Sequence, residues 1–391
     1  MTVRNIIRAL AVLRTLLRRE LADFRRDSRR MTFVFGAAVI YILMFGALYM
    51  PNIVKNVPLV IYDEDNSRMS REISRDFGYS DAFRIIGYVD SEEEMRSLIR
   101  EKEAYSAIHI PKNFAKDTLA GTGGTVLFLT NGSNIILTNV TSASASNIIS
   151  HYSQQVAASR TALATGMNEG MLRIRLAPVT LSLRVLNNST QGYLYFFVIG
   201  LALVAFQQGL LFSVGAATAS EYEKGRTCRY GPAAILAAKV LFYWFCAFAA
   251  FGILLTLAHV IWDIPVKAPL WRFVVLAAFF ALAAVSFGVC FCCFFPTELA
   301  FARGIIMYPV PAFLLSGYTW PSAAMPLLTQ YLSVLFPLRW CSSTVRELLL
   351  GGFSPSYGIC LAALALLTVL FLGIGYPLFR KRLSACTAVQ A

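Results

Sequence analysis

Residues 193–232 have the sequence YLYFFVIGLALVAFQQGLLFSVGAATASEYEKGRTCRYGP, a long apolar run that ends in a short charged connector. The apolar part, about residues 193–219, exceeds the roughly 20 residues that a helix needs to cross about 30 Å of hydrocarbon. The connector, residues 220–232, carries five charged side chains and leads into another long apolar run. Two membrane-spanning helices joined by a charged turn at one membrane surface are therefore predicted.

The rest of the chain repeats this pattern. Of its 391 residues, 57% are hydrophobic and only 15% are charged, which is far outside the usual mixture of a soluble protein. We predict an α-helical polytopic membrane protein with six transmembrane helices and an inserted extracytoplasmic α/β domain. The six apolar runs lie at about residues 31–50, 193–219, 234–262, 273–295, 304–318 and 357–379.

The fifth apolar run is interrupted by prolines, beginning with the pair in Tyr308-Pro-Val-Pro311. Proline removes a backbone donor that hydrocarbon cannot replace. We therefore expect residues 191–380 to supply transmembrane helices two to six, with short external re-entrant helices over residues 319–350.

Arginine and lysine indicate the orientation of the helices, because short cytoplasmic flanks carry an excess of them. Nine arginines precede the first span, and Arg380-Lys381-Arg382 follows the last. Both termini, including the tail 381–391, should therefore be cytoplasmic in a multi-pass membrane protein. Residues 51–190 then lie outside, and the connector 220–232 lies inside.

Residues 1–30 are predicted to form an amphipathic helix at the cytoplasmic membrane surface. Their apolar side chains recur at steps of three and four, and arginines occupy much of the remainder. Membrane lipid is the expected partner of these arginines. Nucleic-acid binding is not expected, because the cluster lacks aromatic interleaving and a recognition motif.

Residues 51–190 show the alternation of an α/β domain. Strands are predicted at residues 57–63, 83–88, 105–110 and 125–130, with helices between them and long helices after residue 134. Ser91 and Glu94 form a capping box at the start of one helix. Strands that alternate with helices favour a largely parallel sheet covered on both faces.

The sequence shows no catalytic site, metal site or cofactor site. The cluster Cys290, Cys292 and Cys293 lacks a second ligand pair, so packing is the expected role. No P-loop is present, and no nucleophile, base and orienting acid group together. The chain is predicted not to be an enzyme.

Three sets of motifs, taken in order, resemble those of the permease subunits of bacterial ABC-2 type exporters, and the resemblance covers essentially the whole chain. The first set lies in the external segment: VIYDEDNSRMSREISRDF at residues 60–77, FRIIGYVDSEEEMRSLIREKEAYSAIHIPKNFAKDTL at 83–119 and NGS at 131–133. The second is EYEKG at residues 221–225, which is similar to the Glu-x-Glu-x-Gly of the family's coupling segment. The third comprises LSGYTWP at residues 315–321 and LFPLRW at 335–340.

The resemblance implies ATP-driven export of a hydrophobic or amphiphilic substrate across a bacterial cytoplasmic (inner) membrane. A permease without its own nucleotide site takes work from a separate ABC ATPase, which would bind the ATP and Mg²⁺. A second permease copy, identical or not, and a periplasmic adaptor are the other expected protein partners.

The resemblance implies that the connector docks the ATPase, and its two charge signs at the cytoplasmic face suit such a contact. The charges alone fit equally well an ordinary solvated loop whose basic residues set the topology. Pro232 follows Gly225 sooner than the equivalent proline does in the family, and Arg226 replaces a small residue, so the coupling helix is expected to be short. The residues assigned to coupling are Glu221, Glu223, Lys224, Gly225 and Arg226.

Three polar residues outside the connector are further candidates. Gln207 and Gln208 lie in the middle of the second span, where an amide needs a partner. They are assigned either to a substrate path or to hydrogen bonding between helices. Glu298 is a candidate second contact at the cytoplasmic face.

Two other classes of protein fit part of the sequence. A membrane-anchored receptor or envelope-assembly protein would act through the external domain, but it leaves the five later spans and the EYEKG motif unexplained. An ion-driven carrier would need an intramembrane acid or base, and the spans contain no convincing one.

Overall fold

The computed structural model of the chain describes residues 3–51, 53–166, 187–188, 192–224 and 230–390. The chain divides into two compact units, Met1–Asn52 with Val185–Ala391, and Ile53–Arg184. The first is helical and the second is an α/β unit.

The helical unit begins with an amphipathic helix, α1 (Val3–Arg26). Its predicted apolar stripe has two environments, because Phe24 is buried in the protein core whereas Leu10 and Leu21 are exposed. The helix itself is confirmed, and its place at the membrane surface stays a prediction. A break at Asp27 precedes the first span, which consists of α2 (Ser28–Met31), one π-helical segment (Thr32–Gly36) and α3 (Ala37–Leu48).

The α/β unit contains a four-stranded sheet in the order β2-β1-β3-β4. Its strands and helices follow the predicted order, and β1 has the predicted bounds. In chain order they are β1 (Val57–Asp63), α4 (Arg68–Tyr79), β2 (Phe83–Val89), α5 (Glu92–Arg100), β3 (Ser106–Ile110), α6 (Phe114–Ala120), β4 (Leu127–Thr130) and α7 (Ile135–Thr165).

Successive residues of β1 fill two separate cores on opposite faces of the sheet. Leu59 and Ile61 pack with side chains of α4, α6 and α7, and Val60 packs with Met95 of α5. The predicted cover on both faces is therefore confirmed. The Ser91 hydroxyl accepts the Glu94 N–H at 3.2 Å, as the capping motif requires.

Strand β1 pairs in parallel with β2 and β3, but β4 pairs antiparallel with β3. The sheet is thus largely parallel, with a reversed edge strand that the sequence pattern does not reveal. The helix α6 between β3 and β4 spans only seven residues. A helix of that length, about 10 Å, need not carry the chain back to the end of the sheet where β3 began.

The remaining helices belong to the helical unit. The described part of the chain contains six helices that are long and apolar enough to cross a membrane, and five of them lie from Tyr193 onward. Two short helices together form the fifth of the six spans. In order they are α8 (Tyr193–Lys224), α9 (Pro232–Trp262), α10 (Leu270–Cys292), α11 (Glu298–Ile305), α12 (Pro309–Leu315), α13 (Leu327–Ser333), α14 (Pro337–Gly351) and α15 (Tyr357–Gln390).

Helix α8 lies at the centre of the helical unit. Its most apolar window is 78% buried, against 17% for the fifth span and 22% for the first. The fifth span bends before Pro309 into α11 and α12, and short helices follow it as expected. The membrane depth of those short helices stays a prediction.

Candidate functional site

The charged connector begins inside a helix, because α8 continues five residues beyond the apolar run to Lys224. The Glu221 carboxylate accepts a hydrogen bond from the Arg19 guanidinium of α1 at 2.9 Å and lies 3.1 Å from the ammonium of Lys239 in α9. That ammonium also donates to the Glu20 carboxylate of α1 at 2.6 Å. We call Arg19, Glu20, Glu221 and Lys239 the ion cluster.

Three members of the ion cluster are almost completely buried: Lys239 is 1% exposed, Glu221 2% and Glu20 5%. Isolated buried charges are very unfavourable, whereas here two bases face two acids and hydrogen bonds join them. The cluster joins α1, α8 and the first third of α9. Any displacement of the start of the connector therefore acts directly on two other helices.

Glu221 is therefore buried between helices, and its predicted role as a docking charge stays a prediction. Its neighbour Glu223 is exposed and points elsewhere. Lys224 ends α8, and its side chain lies outside the described residues, as do Gly225 and Arg226. Their docking role and the expected shortening of the coupling helix stay predictions.

Glu223 contacts the start of the fifth span. Its carboxylate accepts the backbone N–H of Glu298 at 3.2 Å, at the N-terminus of α11. Acidic groups are favourable there, because the first N–H groups of a helix lack internal partners. The Glu298 carboxylate in turn lies 4.0 Å from the Arg29 guanidinium. The structure thus brings two predicted candidates, Glu223 and Glu298, together at one place.

Tyr222 anchors the same end of α8 to α10. Its buried hydroxyl lies 3.2 Å from the Cys292 carbonyl oxygen and 3.0 Å from the Phe295 carbonyl oxygen. Cys290, Cys292 and Cys293 are buried among apolar side chains, as the packing role predicts.

Gln207 and Gln208 both bond to the fifth span. The Gln207 amide donates to the Tyr308 hydroxyl at 3.0 Å, and the Gln208 amide donates to the Ile305 carbonyl at 3.0 Å. These contacts are the helix-to-helix bonds of the second predicted alternative. Within the described residues, both side-chain carbonyl oxygens are buried and accept no hydrogen bond.

A cleft between the first span, α8 and α11 has a charged mouth and an aromatic interior. The outer cavity has a volume of about 540 Å³ and the inner one about 210 Å³. Asp27, Arg29 and Arg30 line both. The inner cavity is further lined by Phe33, Phe212, Ser213, Ala216, Glu298, Phe301 and Ala302.

Asp27 organises the mouth of this cleft. Arg29 donates two hydrogen bonds to its carboxylate, at 3.2 and 3.3 Å, and Arg30 lies 3.1 Å away as an ion pair. Although partial burial raises it, these two arginines hold the pKa of Asp27 below its ordinary value. The mouth therefore keeps its charges at neutral pH.

Sequence reasoning missed the partners of Glu221, although one signal was present. Lys239 is the one Lys, Arg, Asp or Glu residue in the apolar run 234–262. A lone charge inside such a run implies an internal partner, because hydrocarbon does not solvate it. Lys239 and Glu20 are 219 positions apart in the chain, so the sequence alone does not show that they pair.

Sequence similarity to known proteins identifies the family of the chain. The family model described as "ABC-2 family transporter protein" matches residues 29–376. The "Probable multidrug ABC transporter permease YbhR" of Escherichia coli strain K12 is 26% identical over 355 residues, which cover 87% of this chain and 90% of that protein. The protein of the same name from Escherichia coli O157:H7 has the same identity and coverage. The family model spans most of the chain, and the chain therefore belongs to the ABC-2 family of transporter proteins, as a multi-pass membrane permease subunit.

Proposed function

We propose that this chain exports a hydrophobic or amphiphilic substrate across a bacterial inner membrane, driven by ATP hydrolysis on a separate ATPase subunit. The relatives named as multidrug ABC transporter permeases support the reaction. The arginines before the first span and after the last support cytoplasmic termini. The α/β unit is then an inserted extracytoplasmic domain, available to a periplasmic adaptor.

The ion cluster is the observation that supports coupling most strongly. An ATPase that moves the connector 220–232 moves the end of α8, where Glu221 is held by α1 and α9. Through Glu223, the same motion reaches the N-terminus of α11. Nucleotide binding shifts the permease between conformations only if the ATPase binds those conformations with different affinity. The contacts of Glu221 and Glu223 connect the proposed docking segment to α1, α9 and α11, and so they link ATPase binding to the conformation of these helices.

The proposed complex contains two permeases and two ATPases. In the first and fifth spans, only 22% and 17% of the residues of the apolar segment are buried, the lowest values among the six spans. These two spans therefore offer apolar faces to a second copy. ATP and Mg²⁺ belong to the ATPase in this account, and this chain supplies the connector as the docking surface.

The cleft beside the fifth span supports an amphiphilic substrate. Arg29 and Arg30 at its mouth suit an anionic or polar head, and Phe33, Phe212 and Phe301 suit an apolar body. The amide oxygens of Gln207 and Gln208 are buried and accept no hydrogen bond in the described part of the chain, so a substrate path along these residues requires the second and fifth spans to separate.

Co-purification with the candidate ATPase in mild detergent tests the coupling. Glu223→Arg is the informative variant, because Glu223 is exposed, whereas reversal at the buried Glu221 would disturb folding. We expect the native chain to retain the ATPase and to stimulate its ATP hydrolysis, and Glu223→Arg to reduce both. Glu93→Arg, an exposed reversal in α5, is the matched control.

If no ATPase associates with the native chain, the exporter account fails, and a receptor or envelope-assembly role becomes the better explanation. If Glu223→Arg and Glu93→Arg behave alike, the ATPase contact lies elsewhere on the chain.

A further inference from the structure

Helix α1 does not lie flat against α9, and an apolar groove remains between them. Leu10, Leu17 and Leu21 line one side of the groove, and Phe242 and Phe245 line the other. The groove has a volume of about 490 Å³. Leu10 is 59% exposed and Phe245 is 58% exposed, so the groove is open to whatever surrounds this part of the protein.

Two cations stand on the rim of the groove. Arg14 and Arg18, one helical turn apart on α1, are among its lining residues and are exposed. Arg19, the next residue, points instead into the ion cluster. Within the described ranges of the chain, neither Arg14 nor Arg18 forms an ion pair. Their guanidinium groups are therefore uncompensated beside an apolar surface.

A second groove, which runs mainly along α9 and touches α1 at Leu13, provides a contrast. It shares Leu13 with the first and continues along Leu236, Val240 and Trp244, with a volume of about 570 Å³. Its lining residues include no charged side chain. Both grooves thus offer apolar volume, but cations are among the lining residues of only one of the two.

We propose that the groove between α1 and α9 is a binding site for an anionic glycerophospholipid of the surrounding membrane. The lipid phosphate binds Arg14 and Arg18, which present planar donors suited to phosphate oxygens. An acyl chain lies along the leucines of α1 and the two phenylalanines of α9. The two uncompensated cations select an anionic lipid over a zwitterionic one, whereas the apolar wall of the groove holds the acyl chains of either.

The position of the site gives the lipid a consequence for the protein. Helix α1 is fixed on one side by the ion cluster, through Glu20 and Lys239. The lipid fixes the adjoining side, where Leu10 and Leu21 are exposed. A bound anionic lipid therefore holds α1 against α9.

Native mass spectrometry of the full chain in mild detergent tests the site, with phosphatidylglycerol, phosphatidylethanolamine or inorganic phosphate added. We expect the native chain to retain phosphatidylglycerol over phosphatidylethanolamine by about tenfold or more, because two basic groups contribute. Arg14→Gln with Arg18→Gln should abolish that preference. Arg8→Gln with Arg25→Gln removes the same charge from exposed positions that do not line the groove, and should leave it unchanged.

The proposal is wrong if the native chain shows no headgroup preference, or if both double variants lose it equally, since net charge alone would then explain the binding. Competition by millimolar inorganic phosphate without any need for acyl chains would identify a plain anion site and would also overturn the proposal. The thermal unfolding midpoints of the variants show whether they are folded. A second variant, Phe245→Ser, should weaken retention of both lipids while the preference between them remains.

Discussion

Lys239 places a single ammonium group between the carboxylates of Glu20 and Glu221, in a helix that is otherwise apolar. Replacing it by methionine leaves both carboxylates buried and close together. We expect Lys239→Met to destabilise the helical unit by about 3–5 kcal/mol. The thermal unfolding midpoint in detergent should fall by several degrees at least.

A compensating variant distinguishes charge from packing at this position. Lys239→Met combined with Glu20→Gln removes one base and one acid, so part of the lost stability should return. If the single and double variants unfold at the same temperature, the ion cluster does not stabilise the protein through its charges.

Asp27 yields a pH prediction. Because the pKa of its carboxyl group is lowered in the folded protein, its contribution is fully present above the unfolded pKa, ~3.9. That contribution is lost as the pH falls through the lower folded pKa. Asp27→Asn should therefore lower the unfolding midpoint at pH 7, and the difference from the native chain should shrink toward pH 3. A difference that grows in acid would contradict the assignment.

The sequence predicted the location of the candidate site better than the contacts of its single residues. The connector was found because its charges stand out against apolar runs, but the burial of Glu221 depends on partners in α1 and α9. Such pairs are set by how helices pack, and neither helical periodicity nor composition encodes them. Gln207 and Gln208 were correctly expected to need partners, which turned out to lie in the fifth span.

At the scale of elements, α8 owes its central position to small residues on several faces. A Cβ atom at Gly209 would lie 2.0 Å from the backbone oxygen of Phe33 in the first span. Gly209→Ala must therefore push the two helices apart. In α9, Gly252 has open space around its Cβ position, which makes Gly252→Ala the matched control.

We expect Gly209→Ala to lower the unfolding midpoint. Gly252→Ala should leave it unchanged or raise it slightly, because alanine is favoured over glycine in a helix by up to ~1 kcal/mol. Equal midpoints for the two variants would show that the approach of α8 to the first span is looser than described.

The elements themselves were largely predictable, since helix and strand patterns are local. Residues 57–61 form a continuous apolar run, which is typical of a buried strand, and Ser91 marks the start of a helix. The direction of β4 was not predictable, because it depends on the end of the sheet at which the chain leaves α6. The bend of the fifth span at Pro309 followed from proline chemistry.

At the scale of the whole molecule, the exposed apolar faces of the first and fifth spans predict where two permeases meet. Met44 is 50% exposed and Met307 is 76% exposed on these spans. Met44→Cys and Met307→Cys should give cross-linked dimers with a short thiol reagent in membranes. Val369→Cys, 69% exposed on α15, should not.

The native chain is the baseline for that experiment, because it already contains eight cysteines. Cross-linking at Val369 that equals cross-linking at Met307 would place the contact elsewhere or make it nonspecific.

The family was predictable from the order and spacing of short motifs, although each motif alone is weak. The orientation in the membrane, the substrate and the partners do not follow from helix packing in one chain. They depend on contacts with a second copy, an ATPase and a bilayer. The sequence of a single chain indicates such contacts only through unpaired charges and uncovered apolar surfaces.

The most direct test of the account is ATP-dependent uptake of an anionic amphiphilic dye into inside-out membrane vesicles that contain this chain and its ATPase. We predict accumulation that requires ATP, is lost when the ATPase is inactivated at its P-loop lysine, and is strongly reduced by Glu223→Arg but not by Glu93→Arg. Equal accumulation in vesicles that lack this chain would contradict the proposal that it is the permease of an ATP-driven exporter.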